Sequence, residues 1–210
     1  ADADRHTDAT QAYLRAAVNT SFLDERWSHR FSVTQLETDN RNDDAGVSLG
    51  STAAEKRGFY YQTSFALTDS DAHRLTFAVD REELEFSQRG PASFFGDPNQ
   101  DQAIETTGYV LEYQGLELGA VSVSAAIRRD DNSDFDDIDT YRLTGSYAVP
   151  KYGTRLHASV GTGQKSPTFV DRFGFFATEF FGNPNLRPER SEGWEIGFEQ
   201  PVLAGNATLS

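Results

Sequence analysis

Residues 73–80 read His73-Arg74-Leu75-Thr76-Phe77-Ala78-Val79-Asp80. Leu75, Phe77 and Val79 fall on one side of an extended chain, and Thr76, Ala78 and Asp80 on the other. Alternation with a period of two belongs to a strand that has an apolar and a polar face. The pattern recurs downstream. Tyr109, Leu111 and Tyr113 oppose Gly108, Val110 and Glu112, with Val110 out of step. Val121, Val123, Ala125 and Ile127 oppose Ser122, Ser124 and Arg128, and Trp194, Ile196 and Phe198 oppose Glu195, Gly197 and Glu199.

Extending this reading predicts strands near 10–20, 28–38, 56–68, 73–88, 103–114, 117–130, 138–149, 154–162 and 191–200, with a tenth starting at 206. The 10–20 stretch also suits a helix, because it is rich in Ala and Leu. No segment carries a helical period over a dozen residues. Short connections are expected at 68–72, 114–116, 150–153 and 201–205. Long ones are expected at 39–55, 89–102, 130–137 and 163–190. Strict short–long alternation with long strands is the pattern of an up-and-down membrane barrel. Beyond Val79, Arg81-Glu82-Glu83 ends the apolar alternation, so residues 81–88 are expected to rise above the membrane into water.

Composition agrees. Only 37% of the 210 residues are apolar, yet 12% are aromatic, with 16 Phe, 8 Tyr and 2 Trp. Disorder fits so polar a chain but not one so aromatic. A barrel with a wet lumen and an aromatic-rimmed outer face fits both properties. The net charge of −14 argues against nucleic-acid binding, which wants a basic face. The absence of cysteine excludes disulfides and thiolate metal sites. No apolar run is long enough for a membrane helix. The polar start at Ala1, without a leader, and the end inside a beginning strand, Asn206-Ala207-Thr208-Leu209-Ser210, are read as cuts.

Residues 161–199 are the most informative part of the chain. Gly161, Lys165, Pro167 and Thr168 precede an aromatic-rich stretch, Phe173 to Phe181. The chain returns through Asn183-Pro184-Asn185-Leu186-Arg187-Pro188-Glu189-Arg190-Ser191 into a strand bearing Glu195 and Gly197. This resembles the late-barrel motif of TonB-dependent outer-membrane receptors, Gly-x-x-x-Lys-x-Pro-Thr, then Asn-Pro-Asn-Leu-x-Pro-Glu-x-Ser, then Glu-x-Gly. It covers roughly a fifth of the chain. The fold the resemblance implies is all-β: an antiparallel up-and-down transmembrane β-barrel, here a partial barrel of about ten strands. Residues 1–210 would be a piece of the C-terminal transport barrel, with the plug domain outside it. The resemblance also implies TonB as partner through a missing N-terminal region, and outer-membrane lipid and lipopolysaccharide as surroundings. The cargo would be a ferric siderophore, haem or cobalamin.

Read from the residues alone, the motif is structural. Pro184 and Pro188 forbid ladder hydrogen bonds and fix turns. Asn183 and Asn185 can close Asx turns on their own backbone. Together they shape a long loop and set the register of the next strand.

The other constellations are less specific. Phe94 and Phe95 in one loop, and Phe175, Phe176, Phe180 and Phe181 in another, could grip a large organic ligand or a metal chelate. They could equally pack on themselves or anchor at lipid headgroups. Asp130, Asp131, Asp134, Asp136, Asp137 and Asp139 crowd one loop. A divalent cation such as calcium could use the first five. The spacing is not that of an EF-hand, and a solvated surface facing cations and lipopolysaccharide is the ordinary reading. Asp39, Asp43 and Asp44 form a smaller cluster with the same reading. His6, His29, His73 and His157 stand singly along the chain, without metal-ligand spacing; His157 is expected to face the lumen. No cofactor is called for. No nucleophile set is legible, so an outer-membrane barrel enzyme is the weaker alternative, and a passive porin the stronger one.

Overall fold

A computed structural model describes residues 4–69, 72–176, 180–202 and 207–209. Ten strands form one antiparallel sheet in sequence order: β1 (Arg5–Phe22), β2 (Trp27–Asp44), β3 (Val47–Ala66), β4 (His73–Arg89), β5 (Gln100–Leu118), β6 (Val121–Asn132), β7 (Ile138–Ala148), β8 (Arg155–Lys165), β11 (Glu189–Val202) and β12 (Ala207–Leu209). Between β8 and β11 lie a five-residue helix, α1 (Phe169–Phe173), and a two-stranded ribbon of β9 (Phe175–Phe176) and β10 (Phe180–Phe181). The sheet is open, with β1 and β12 at its two edges. The helical option for residues 10–20 fails, since β1 pairs with β2 along its whole length, from Arg5↔Asp44 to Phe22↔Trp27.

The register carries the period-two reading across the sheet. One face aligns Phe31↔Tyr61 and Tyr61↔Val79, then Val79↔Tyr109. It continues through Leu111↔Ile127, Ile127↔Tyr141, Leu143↔Val160 and Val160↔Trp194. Large apolar side chains on this face lie exposed, Trp194 and Ile196 most of all at 78% and 75%. On the opposite face Ser32, Ser64, Thr76 and Asp130 are buried. Ser64 and Thr76 share a 2.8 Å hydroxyl hydrogen bond, and Arg128 grips Asp80 with two bonds of 2.7 and 2.9 Å. The apolar face suits hydrocarbon and the polar face water. His157 lies on the polar face, as expected, paired with Gly197. A Cβ at residue 197 would come within 2.4 Å of the imidazole, so the glycine of Glu-x-Gly leaves room for a neighbouring lumen side chain.

Most strands are longer than expected, β6 and β7 being slightly shorter, and two connections move. Residues 39–55 are not a loop. They continue β2 and β3 as a paired hairpin, turned by Ala45 and Gly46 at φ +51° and +80°. A bulge at Asn42/Asp43 absorbs the mismatch. A strand standing in water on both sides has no apolar alternation to reveal it. The expected turn at 114–116 shifts to Gly119 and Ala120, with Gly119 at φ +71°; Gly115 stays in β5 opposite Val123. The asymmetry between the two ends therefore lies in how far hairpins rise and not in loop length alone: the connection 133–137 is no longer than 149–154.

Candidate functional site

The long-loop end collects the connections 90–99, 133–137 and 166–188. Its organising element is α1. Thr168 caps the helix: its hydroxyl accepts from the Asp171 N–H at 3.1 Å, while the Asp171 carboxylate accepts from the Thr168 N–H at 3.0 Å and from its hydroxyl at 2.7 Å. These bonds hold the Asp171 carboxyl below the ordinary aspartate value, the Thr168 hydroxyl first and its backbone N–H second. The Thr-x-x-Asp spacing is a readable helix-start signal.

The cap directs Phe169 onto the polar face of the sheet. It stacks on Phe86 with ring centroids 5.5 Å apart, and with Ile104 the two form a small core. Leu84, Ala54, Phe135 and Phe173 pack around it. One helical turn on, Arg172 is 4% exposed. It pairs with Asp134 and donates to the Pro184 carbonyl at 2.8 and 3.2 Å. Its guanidinium also lies over the Phe173 ring, 4.8 Å from the centroid. Gly182 passes so close to Arg172 that a Cβ would sit 2.5 Å from its carbonyl. Gln88 and Gln100, on the polar face of β4 and β5, donate to the carbonyls of Phe175 and Phe173. The long loop is thus folded onto the polar face of its own sheet.

The remaining motif residues build this loop and its base. Lys165 and Glu189 face each other across the first rung of the β8–β11 ladder, closing the loop that Pro167 and Pro188 bracket. The Asn183 side chain accepts from the Asn185 N–H at 3.0 Å, and Leu186 N–H bonds the Asn183 carbonyl at 3.1 Å. The first is the Asx turn expected from the sequence. Ser191 pairs with Gly163, and Glu195 with Ser159.

The six phenylalanines are divided. Phe94 and Phe95 occupy the corner of a tight turn closed by reciprocal Ser93–Gly96 backbone bonds of 2.9 and 3.1 Å. Phe94 is 99% exposed. Asn99 bridges to both the N–H and the carbonyl of Gly90, pinching the base of that loop. Phe175 packs edge-on against Phe181, 5.1 Å away, and its ring lies over Gly96. The two loops therefore meet through Phe175. Phe180 and Phe181 are partly exposed. Phe176 pairs its backbone with Phe180, and its side chain lies outside the described residues. Residues 177–179 of the aromatic stretch also lie outside them.

The acidic loop is not gathered around one point. Asp130 is bound by Arg128 and Gln164, Asp131 and Asp137 by Arg129, Asp134 by Arg172, and Asp136 approaches Arg187 at 3.9 Å. Asp139 also faces Arg129. Each carboxylate already has a cationic partner.

Sequence reasoning does not reach Arg172, Gln88, Gln100 and Phe86 as parts of this site. Their roles depend on contacts more than thirty positions away along the chain, to Asp134, Phe175, Phe173 and Phe169.

Comparison with known proteins agrees with this architecture. The family described as "TonB dependent receptor-like, beta-barrel" matches residues 1–210. The vitamin B12 transporter BtuB of Photobacterium profundum is 24% identical over 191 residues, 91% of this chain and 29% of that protein. Among solved structures, the siderophore receptor PirA from Pseudomonas aeruginosa superposes with a TM-score of 0.71 at 16% identity, covering 93% of this chain and 37% of that one. PirA from Acinetobacter baumannii gives 0.75 at 14% identity, covering 92% and 33%. At such identities the superpositions speak for the fold. The chain spans about a third of the length of these relatives.

Proposed function

The chain belongs to the TonB-dependent receptor β-barrel family, and from that premise we propose that it forms part of the transport barrel of a bacterial outer-membrane importer. The apolar face meets lipid and the acyl chains of lipopolysaccharide. The polar face lines the lumen around a plug encoded outside residues 1–210, through which TonB supplies energy. The cargo is a metal chelate, such as a ferric siderophore or haem, or cobalamin.

The observation that carries this reading is the fold of residues 166–176 and 180–188. They dock on the polar face by Phe169, Arg172 and the two glutamines, and present phenylalanines beside the loop of Phe94 and Phe95. An aromatic surface at the mouth of a polar channel recognises a large, partly apolar solute. A porin passing small polar solutes has no use for it. The test is uptake of labelled ferric siderophore and cobalamin by cells carrying the full-length protein, with and without TonB. Import that requires TonB supports the proposal. Passive flux of small solutes that is indifferent to TonB overturns it in favour of a porin.

A further inference from the structure

The acidic loop that the sequence offers as a cation site is neutralised by arginines, but a different cluster is not. His6 and Asp8 lie two residues apart on β1 and so share a face, and the register sets His6 directly opposite Asp43 on β2. The imidazole Nε2 is 3.6 Å from a carboxylate oxygen of Asp8 and 3.7 Å from one of Asp43. One ligand atom from each of the three residues lies within 4.8 Å of the others. Among the described residues, no arginine or lysine stands within ion-pair distance of either carboxylate, although Arg41 lies opposite Asp8 in the register. Arg5 turns to Asp44 instead, at 2.9 Å. Asp43 sits at the β-bulge, a local device that re-aims side chains, and its side chain is only 17% exposed.

We propose that His6, Asp8 and Asp43 bind one divalent transition-metal ion of the zinc class. The donor set decides the class. One imidazole nitrogen with two carboxylate oxygens suits zinc and its neighbours, whereas calcium and magnesium take shells made of oxygen. The spacing fits as well. Ligands about 2.0–2.1 Å from a four-coordinate zinc stand roughly 3.3–3.5 Å from one another. The two imidazole–carboxylate separations exceed this by a few tenths of an ångström, and the two carboxylates stand within 4.8 Å of each other, distances that side-chain rotation can close. Three protein ligands leave one position for water or an external donor. By register the site shares the face of Leu14, Val18 and Phe22, at the opposite end of β1 from Phe22. That end is the long-loop end, and His6 and Asp43 line one cavity with Ser93 and Phe175, but the three ligands use no phenylalanine and do not depend on the transport reading.

The test is zinc titration of the full-length protein in detergent micelles, by calorimetry, with His6→Ala, Asp8→Asn and Asp43→Asn beside it and Asp131→Asn as control. The expected result is one zinc equivalent present in the parent and in Asp131→Asn. Each of the three ligand variants should bind that equivalent about tenfold more weakly or worse, the scale seen when the surroundings of a metal site are disrupted. Excess calcium should not displace it. Asp8 is largely exposed, so its amide variant tests the site without endangering the fold. Zinc binding that survives both His6→Ala and Asp8→Asn, the absence of a stoichiometric equivalent in the parent, or displacement of zinc by calcium would each overturn the proposal.

Discussion

Replacing Phe169 with alanine tests whether the long loop is a docked unit. The side chain is 7% exposed and stacks on Phe86. Truncating a buried phenylalanine commonly costs about 3–5 kcal/mol. This core has three buried members and lies near the surface, where neighbours can collapse into the space, so ~2–3 kcal/mol is the expected loss. The loss should fall on loop docking, because Phe169 touches the β4–β5 hairpin and its own loop, and the strand ladders do not run through it. At roughly 1.4 kcal/mol per decade, amide exchange in the loop should then accelerate about 30- to 150-fold. The reporters are the N–H groups of Arg172, Gly174, Gly182 and Asn183, which bond Thr168, Val170, Gly174 and Asp171. Hydrogen-exchange mass spectrometry of the full-length protein in micelles reads this directly. Unchanged exchange in residues 169–183 would refute the docking argument, and so would equal acceleration in the β6–β7 ladder.

Other outcomes follow from the same contacts. Arg172→Ala should destabilise the loop more than Asp134→Asn, since the arginine also donates to the Pro184 carbonyl and the Asp134 backbone; equal exchange rates in the two variants would contradict this. Phe94→Ser should leave thermal stability within about 0.5 kcal/mol, as for most exposed positions, while weakening binding of the imported ligand; tight binding in that variant would remove Phe94 from the site. Ile196→Arg should cost about 2–4 kcal/mol if its face meets the bilayer centre, whereas Ser159→Arg on the polar face should fold normally in micelle refolding assays. The Asp171 carboxyl should titrate below the ordinary aspartate value in carbon NMR, and Thr168→Ala should return it toward that value. Its folded value is depressed, so its support for the helix cap is complete above the unfolded value and is lost as pH falls through the folded one. A titration midpoint at or above the ordinary aspartate value in the parent would count against the capping box.

Much of the fold was legible because one face meets an apolar phase. Leu75, Phe77 and Val79 announce β4, and Trp194, Ile196 and Phe198 announce β11, since each must alternate with polar neighbours. Where both faces meet water that constraint disappears, and residues 39–55 read as loop although they form a regular hairpin. The motif residues were legible as turn-makers because Pro and Asn act on their own backbone, as Asn183 does on Asn185. Arg172 was not, because nothing local distinguishes an arginine that will be buried against Asp134 and Pro184. The cluster of His6 with Asp43 was hidden for a related reason. Metal-ligand spacing is legible where ligands lie close along the chain, and these two residues, far apart in sequence, meet only across a pair of strands.

The central claim is that this sheet is a barrel wall with one lipid face and one water face. The most direct measurement exploits the absence of cysteine in these 210 residues. Single cysteines would be placed in turn from Val123 to Arg128 in the full-length protein, on a background without other cysteines, and labelled with a fluorophore in lipid bilayers. A lipid-phase quencher should act on labels at 123, 125 and 127, and a water-soluble quencher at 124, 126 and 128. Uniform access to the aqueous quencher along the whole stretch would contradict the account.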